Sequence, residues 1–222
     1  MLKSLIYKEW IKTRWFFLLV LVLGMAGCGA VFLKVQHSIT FNDAHKYWHF
    51  ILFQNLLYFN GMKYIPLATG VLIALVQYIP EIVNKRIKLS FHLPLGENRV
   101  LLMMLGYGYL LLCICYGLIF ALFLLLSSHF FPSEIVRAAV ISVTPWFLAG
   151  FVAYALAALI VMETLWKYRM AYLLASAAFV LFFFKKSVAG GYAHFNWTLA
   201  AMTVALSTSL TFSAYRFRKG AV

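Results

Sequence analysis

The sequence predicts an all-α polytopic membrane protein with six transmembrane helices and an N-terminal amphipathic interfacial helix. Three observations predict it. First, 64% of the residues are apolar and only 11% are charged, where a soluble domain carries roughly 25% charged residues. A water-soluble chain of 222 residues has nowhere to bury that much apolar surface, so lipid is the expected solvent. Second, long apolar runs recur along the chain, parted by polar breaks. Third, the basic residues flank these runs. The net charge of +13 therefore reads as membrane topology and not as a nucleic-acid surface.

The chain opens with LKSLIYKEWIKTR at 2–14. Leu2, Leu5, Ile6, Trp10 and Ile11 fall at helical spacing, with Lys3, Lys8, Glu9 and Lys12 mainly elsewhere. This is the pattern of a helix lying on a membrane surface, basic on its wet side. The first span is 15–33, with Gly24, Ala26, Gly27, Gly29 and Ala30 offering a face for close helix approach. Met25-Ala26-Gly27-Cys28 has the look of a lipoprotein cleavage box, but the apolar run continues to Leu33. The expectation is an uncleaved span, since crossing takes ~17–25 residues.

A long connection follows. Within it, 47–59 is aromatic and apolar but includes His49, Gln54 and Asn55. Thirteen residues are short for a span, so an interfacial helix on the outer face is expected. The second span is 64–80, with a helical extension toward Leu89 in which Glu81 and Lys85 stand four apart. Ser90, Pro94 and Gly96 then break the helix. The remaining spans are 100–126, 138–162, 170–184 and 197–215, and a basic tail closes the chain. No internal repeat, low-complexity tract or soluble domain is present; 1–222 reads as a single transmembrane domain.

Charge sorts the ends. With the N-terminus inside, thirteen basic residues fall on inner segments: Lys3, Lys8, Lys12, Arg14, Lys85, Arg86, Lys88, Arg99, Lys167, Arg169, Arg216, Arg218 and Lys219. Six fall outside: Lys34, Lys46, Lys63, Arg137, Lys185 and Lys186. Were 47–59 a seventh span, the balance would invert to eight inside and eleven outside. The positive-inside rule thus favours six spans, both termini cytoplasmic, and a cytoplasmic 81–99.

Several chemistries are missing. There is no G-x-x-x-x-G-K-[ST] phosphate loop, no H-E-x-x-H and no G-x-S-x-G, and Asp43 is the sole aspartate. A membrane enzyme built on paired carboxylates or metals has little to work with. No charged residue falls near the middle of a span, which weakens an ion-coupled carrier. Uncharged polar groups such as Gln77 and Thr144 are left to line a path. His45 and His49, four apart near Asp43, are weak metal-ligand candidates; polar decoration of the aromatic segment is the simpler reading. Cys28, Cys113 and Cys115 all lie in apolar runs and are expected as small packing residues.

The stretch PEIVNKRIKLSFHLPLGENR at 80–99, together with the opening KEWIKTRWFF, resembles the membrane (permease) subunits of prokaryotic ABC exporters of type 2 architecture. In that family a Glu ends the second span, then come a basic stretch, a leucine-proline step and a basic residue opening the third span. Glu81, Lys85 and Arg86, Leu93-Pro94 and Arg99 stand in that order, with Leu89 between. Leu95-Gly96-Glu97-Asn98 is inserted before Arg99, where the family often reads Pro-Val-Ser-Arg. Lys8, Glu9 and Trp10 match the family's leader.

The resemblance implies a path formed by two permease chains, identical or homologous. It implies two copies of a separate ATPase, which bind ATP and Mg, docked on 81–99. It also implies residence in the bacterial cytoplasmic membrane. Glu81 is then the candidate to hold the elbow, against Lys85, Arg86 or the leader. A second reading, from another class, is a non-transporting scaffold or immunity-type protein that binds a partner at its outer face. The many aromatics suit an amphipathic cargo and suit lipid contact equally.

Overall fold

Nothing between Leu2 and Asn42 stops a helix: the stretch contains no proline, and proline is the residue that most disrupts a helix interior. In the computed structural model it forms one helix, α1, Leu2–Asn42, of 41 residues. The structure describes residues 2–42, 51, 57–83, 97–163, 165–184 and 196–208. After α1 come a 3-10 turn at Asn60–Met62 and then α2, Ile65–Val83. The series continues with α3, Glu97–Phe130, α4, Ser133–Met162, α5, Trp166–Phe183, and α6, Asn196–Thr208.

The described residues are helical with no strand. Among the described residues, four segments are long and apolar enough to cross a membrane: Lys3–Phe41, Asn60–Val83, Arg99–Phe130 and Ser133–Met162. Helices α5 and α6 are shorter.

The helices alternate in direction. Gly24 of α1 lies against Ile65 of α2 and Ile119 of α3, while Lys12 meets Glu81 and Thr13 meets Tyr107. Helix α1 is therefore antiparallel to α2 and parallel to α3. Gly70 meets Gly150, and Gln77 meets Tyr154, so α4 runs with α2. Asn196 donates to the Ile141 carbonyl at 3.3 Å, which sets the start of α6 near the start of α4. The starts of α1, α3 and α5 thus share one end with the finishes of α2 and α4. We call this the first end. It carries Lys3, Lys8, Lys12, Arg14, Arg99, Lys167 and Arg169; the second end carries Lys34, Lys63 and Arg137. The end of α1 and the start of α2 both lie at the second end, so the chain leaves and returns there.

Helix α4 is the central element, packing on α2, α3, α5 and α6. Its tightest approach is to α2, where a Cβ on Gly70 would strike the Gly150 backbone. Close backbone approach of this kind is how helices associate where lipid removes the hydrophobic drive. Tyr116 fastens α3 to the crossing by donating to the Pro66 carbonyl at 2.7 Å.

Several boundaries differ from the sequence reading. The leader 2–14 is not a separate helix, because no break separates it from the span. Its facing also differs: Leu5, Glu9 and Thr13 are buried, while Ile6, Trp10 and Ile11 are exposed. The polar stripe placed on the wet side turns toward the bundle instead. Of the outer helix expected at 47–59, 47–50 and 52–56 lie outside the described residues, and Ile51 is helical. Its last residues, Tyr58 and Phe59, sit in a turn and are buried, and Tyr58 shares a 3.1 Å hydrogen bond with Ser127. Their rings meet Phe32, Phe123, Phe131 and Trp146, so these two side chains join the second end of the core. The free cysteines Cys28 and Cys115 are buried, and Cys113 is exposed.

Candidate functional site

Lys8 and Lys12 stand four residues apart on α1, which puts them on one face. That face meets the last turn of α2, where Pro80 removes a helical N–H donor within the helix. Glu81 follows directly and is fully buried, as is Glu9. Lys12 Nζ lies 2.8 Å from Glu81 Oε1 and donates to it. Lys8 Nζ lies 3.1 Å from the same oxygen and 3.2 Å from Oε2. Lys12 also donates to the Gln77 carbonyl at 3.3 Å, beside the Val76 carbonyl that Pro80 deprives of its helical donor.

Two acids thus face two bases, and the local charge balances. The pairing is uneven. Lys12 Nζ stands 2.8 Å from Glu9 Oε1, but off hydrogen-bond alignment. Neither Glu9 carboxylate oxygen accepts a hydrogen bond among the described residues. The lysine side chains differ too: Lys12 is 12% exposed and Lys8 38%.

The cluster continues inward as a polar chain. Gln77 donates through Nε2 to the Met104 carbonyl of α3 at 2.8 Å. Its Oε1 accepts from Tyr154 of α4, also at 2.8 Å. Tyr154 and Tyr78 share a longer contact of 3.5 Å. Gly108 is needed here, because a Cβ would collide with the Tyr154 hydroxyl. On the other flank, Thr13 shares a 2.9 Å hydrogen bond with Tyr107 and donates to the Glu9 carbonyl. Four helices are joined by groups whose alternative in an apolar interior is an unmet hydrogen bond.

Of the residues singled out in the sequence, Glu81, Lys8 and Glu9 come together here. Trp10 does not; it is 41% exposed and its ring lies 6.3 Å from that of Phe17. Arg99 is exposed in the first turn of α3. Lys85, Arg86, Leu89, Leu93 and Pro94 lie outside the described residues, as do His45 and His49. Among the described residues no group of three or more His, Cys, Asp or Glu is placed to hold a metal.

Gln77 is no path-lining group, since both ends of its amide are bonded within the core. Thr144 returns its hydroxyl to the Val140 carbonyl. Sequence reasoning missed Lys12, Thr13, Tyr107 and Tyr154 as members of the cluster. A usable signal existed for Lys12, four residues after Lys8. None existed for the tyrosines, whose rings equally suit plain packing.

Compared with known proteins, the chain matches no family model, no curated protein and no solved structure.

Proposed function

We propose that this chain is the permease subunit of an ATP-driven exporter of the ABC type 2 kind. In this reading it has six spans, both termini in the cytoplasm and residence in the cytoplasmic membrane of a prokaryote. The observation that carries the reading is the buried Glu81, held by Lys8 and Lys12 where α2 ends. Residues 84–96 connect that point to α3, and the sequence there resembles the docking segment of such permeases.

The proposed mechanism follows from what this end can transmit. A force applied to 84–96 by a partner reaches α2 at Glu81. A helix with a free end would absorb it by fraying. Here Glu81 ties α2 to α1, and Gln77 ties α2 to α3 and α4. Displacement of the segment therefore moves α1 and α2 together. Hydrolysis belongs to two copies of a separate ATPase carrying ATP and Mg; this chain supplies the lever and, with a second permease chain, the path. Arg99, at the opposite edge of the segment, begins the return into α3.

The test is purification from the native host in mild detergent, followed by an ATPase assay. The proposal expects a stoichiometric ATPase that is lost when 85–94 is replaced by a flexible linker, while the permease still inserts. A clean protein without ATPase, in a sample where other ABC complexes survive, would overturn it in favour of the scaffold reading.

A further inference from the structure

A furrow of about 340 Å³ runs along the flank of the bundle between α2, α4 and α5, at the lower end of ligand-pocket sizes. Leu67 and Leu75 wall one side, and Leu173 and Ala177 the other, over a floor that includes Ala153 and Ala157. Alanines on α4 and α5 leave the space that larger side chains would close. The lining offers no hydrogen bonds: its one hydroxyl, on Ser176, is turned back to the Leu173 carbonyl at 2.9 Å.

At the first end, Ile160 and Val161 complete the furrow, and Arg169 is pinned over them. Its Nε donates to the Ile160 carbonyl at 3.0 Å and its Nη2 to the Val161 carbonyl at 3.1 Å. Neither Arg169 nor the exposed Lys167 forms an ion pair among the described residues. Trp166 and Tyr168, exposed at 69% and 46%, flank Lys167. Amphipathic rings of this kind settle at the headgroup level of a bilayer.

We propose that the furrow is a phospholipid site, with one acyl chain along α2, α4 and α5 and the lipid phosphate received by Arg169. Leu67 to Leu75 covers roughly 12 Å at the helical rise, and the lining along that length is aliphatic. An extended hydrocarbon chain fits, and Arg169 at the mouth, which forms no ion pair among the described residues, matches a phosphate. The same aliphatic walls exclude a polar solute, which would lose its hydrogen bonds on entry. This inference does not depend on the exporter reading.

The experiment is native mass spectrometry of the purified chain titrated with phosphatidylglycerol in detergent. One lipid should be retained under activation that strips the rest. Ala177→Trp, which fills the furrow, should weaken retention about tenfold or more, as expected when two or more methylenes leave an apolar site. Arg169→Gln should weaken it less. Phosphate-free diacylglycerol should not be retained. Leu23→Trp, on the exposed face of α1, should change nothing.

A photoactivatable acyl chain on the wild-type protein gives a readout free of any folding defect, and its crosslinks should map to α4 and α5. Crosslinks confined to α1, or wild-type retention by Ala177→Trp, would overturn the proposal. So would a dimer that Ala177→Trp dissolves without changing lipid retention, which would assign the furrow to a second copy. Equal retention of diacylglycerol would overturn the phosphate contact.

Discussion

The two ends of the bundle are held by different chemistry. At the first end, Lys8, Lys12, Glu9, Glu81 and Gln77 form a chain of charges and hydrogen bonds. At the second, Tyr58, Phe59, Phe123 and Trp146 pack ring on ring, with centroids 5.0 to 6.5 Å apart. An aromatic cluster holds by shape and tolerates small shifts, because dispersion and ring quadrupoles vary smoothly with distance. A charge cluster in a dry site is conditional. It is favourable with every partner in place and costly when one leaves. The first end is therefore the place where a local event changes the packing of several helices, and the second end is the anchor.

That contrast can be broken at either end. The largest effect is expected for Glu81→Ala, which leaves two lysine ammoniums facing one unaligned carboxylate. Removing one partner of a buried pair costs about 3–5 kcal/mol, enough to lower the unfolding midpoint sharply in detergent. Of similar or slightly smaller size is Phe59→Ala at the other end, where losing a buried ring costs about 3–5 kcal/mol. Its signature differs. Glu81→Ala should perturb crosslinking between α1 and α2 at the first end, whereas Phe59→Ala should loosen 57–64 alone.

A smaller loss is expected for Tyr154→Phe, which leaves Gln77 Oε1 without its donor. Such bonds within membrane bundles average about 0.6 kcal/mol and reach about 1.7. The smallest is expected for Lys8→Met. Its side chain is 38% exposed and Lys12 still pairs Glu81, so the change should stay below about 1 kcal/mol. Thermal unfolding of each variant in one detergent would rank them. A larger loss for Lys8→Met than for Glu81→Ala would invert the account.

Much of the architecture was legible in the chain. The placement of the helices follows from runs of apolar residues, and the basic residues among those described divide unevenly between the two ends, seven at the first and three at the second. Glu81 stood out through its spacing to Lys85 and through the resemblance of 80–99 to the docking segment of exporter permeases. What the sequence could not show was facing. Hydrophobic periodicity sets Lys8, Glu9 and Lys12 toward water, and Ile6, Trp10 and Ile11 toward the membrane. In lipid the surroundings are as apolar as the core, so those side chains gain nothing from burial. The polar stripe of Lys8, Glu9 and Lys12 instead finds partners inside the bundle. The burial of Tyr58 and Phe59 was not legible for a related reason. Aromatic residues suit the interface and a core equally, and nothing in 57–59 distinguishes them.

The account rests most heavily on the pairing of α1 with the end of α2. A double-mutant cycle on Lys12→Met and Glu81→Gln, read by reversible unfolding in detergent, tests it directly. If the two side chains form the buried pair described, their effects are non-additive by about 0.5–3 kcal/mol, with the double variant milder than the sum. Effects that add to within about 0.3–0.5 kcal/mol would show that Lys12 and Glu81 do not hold the two helices together.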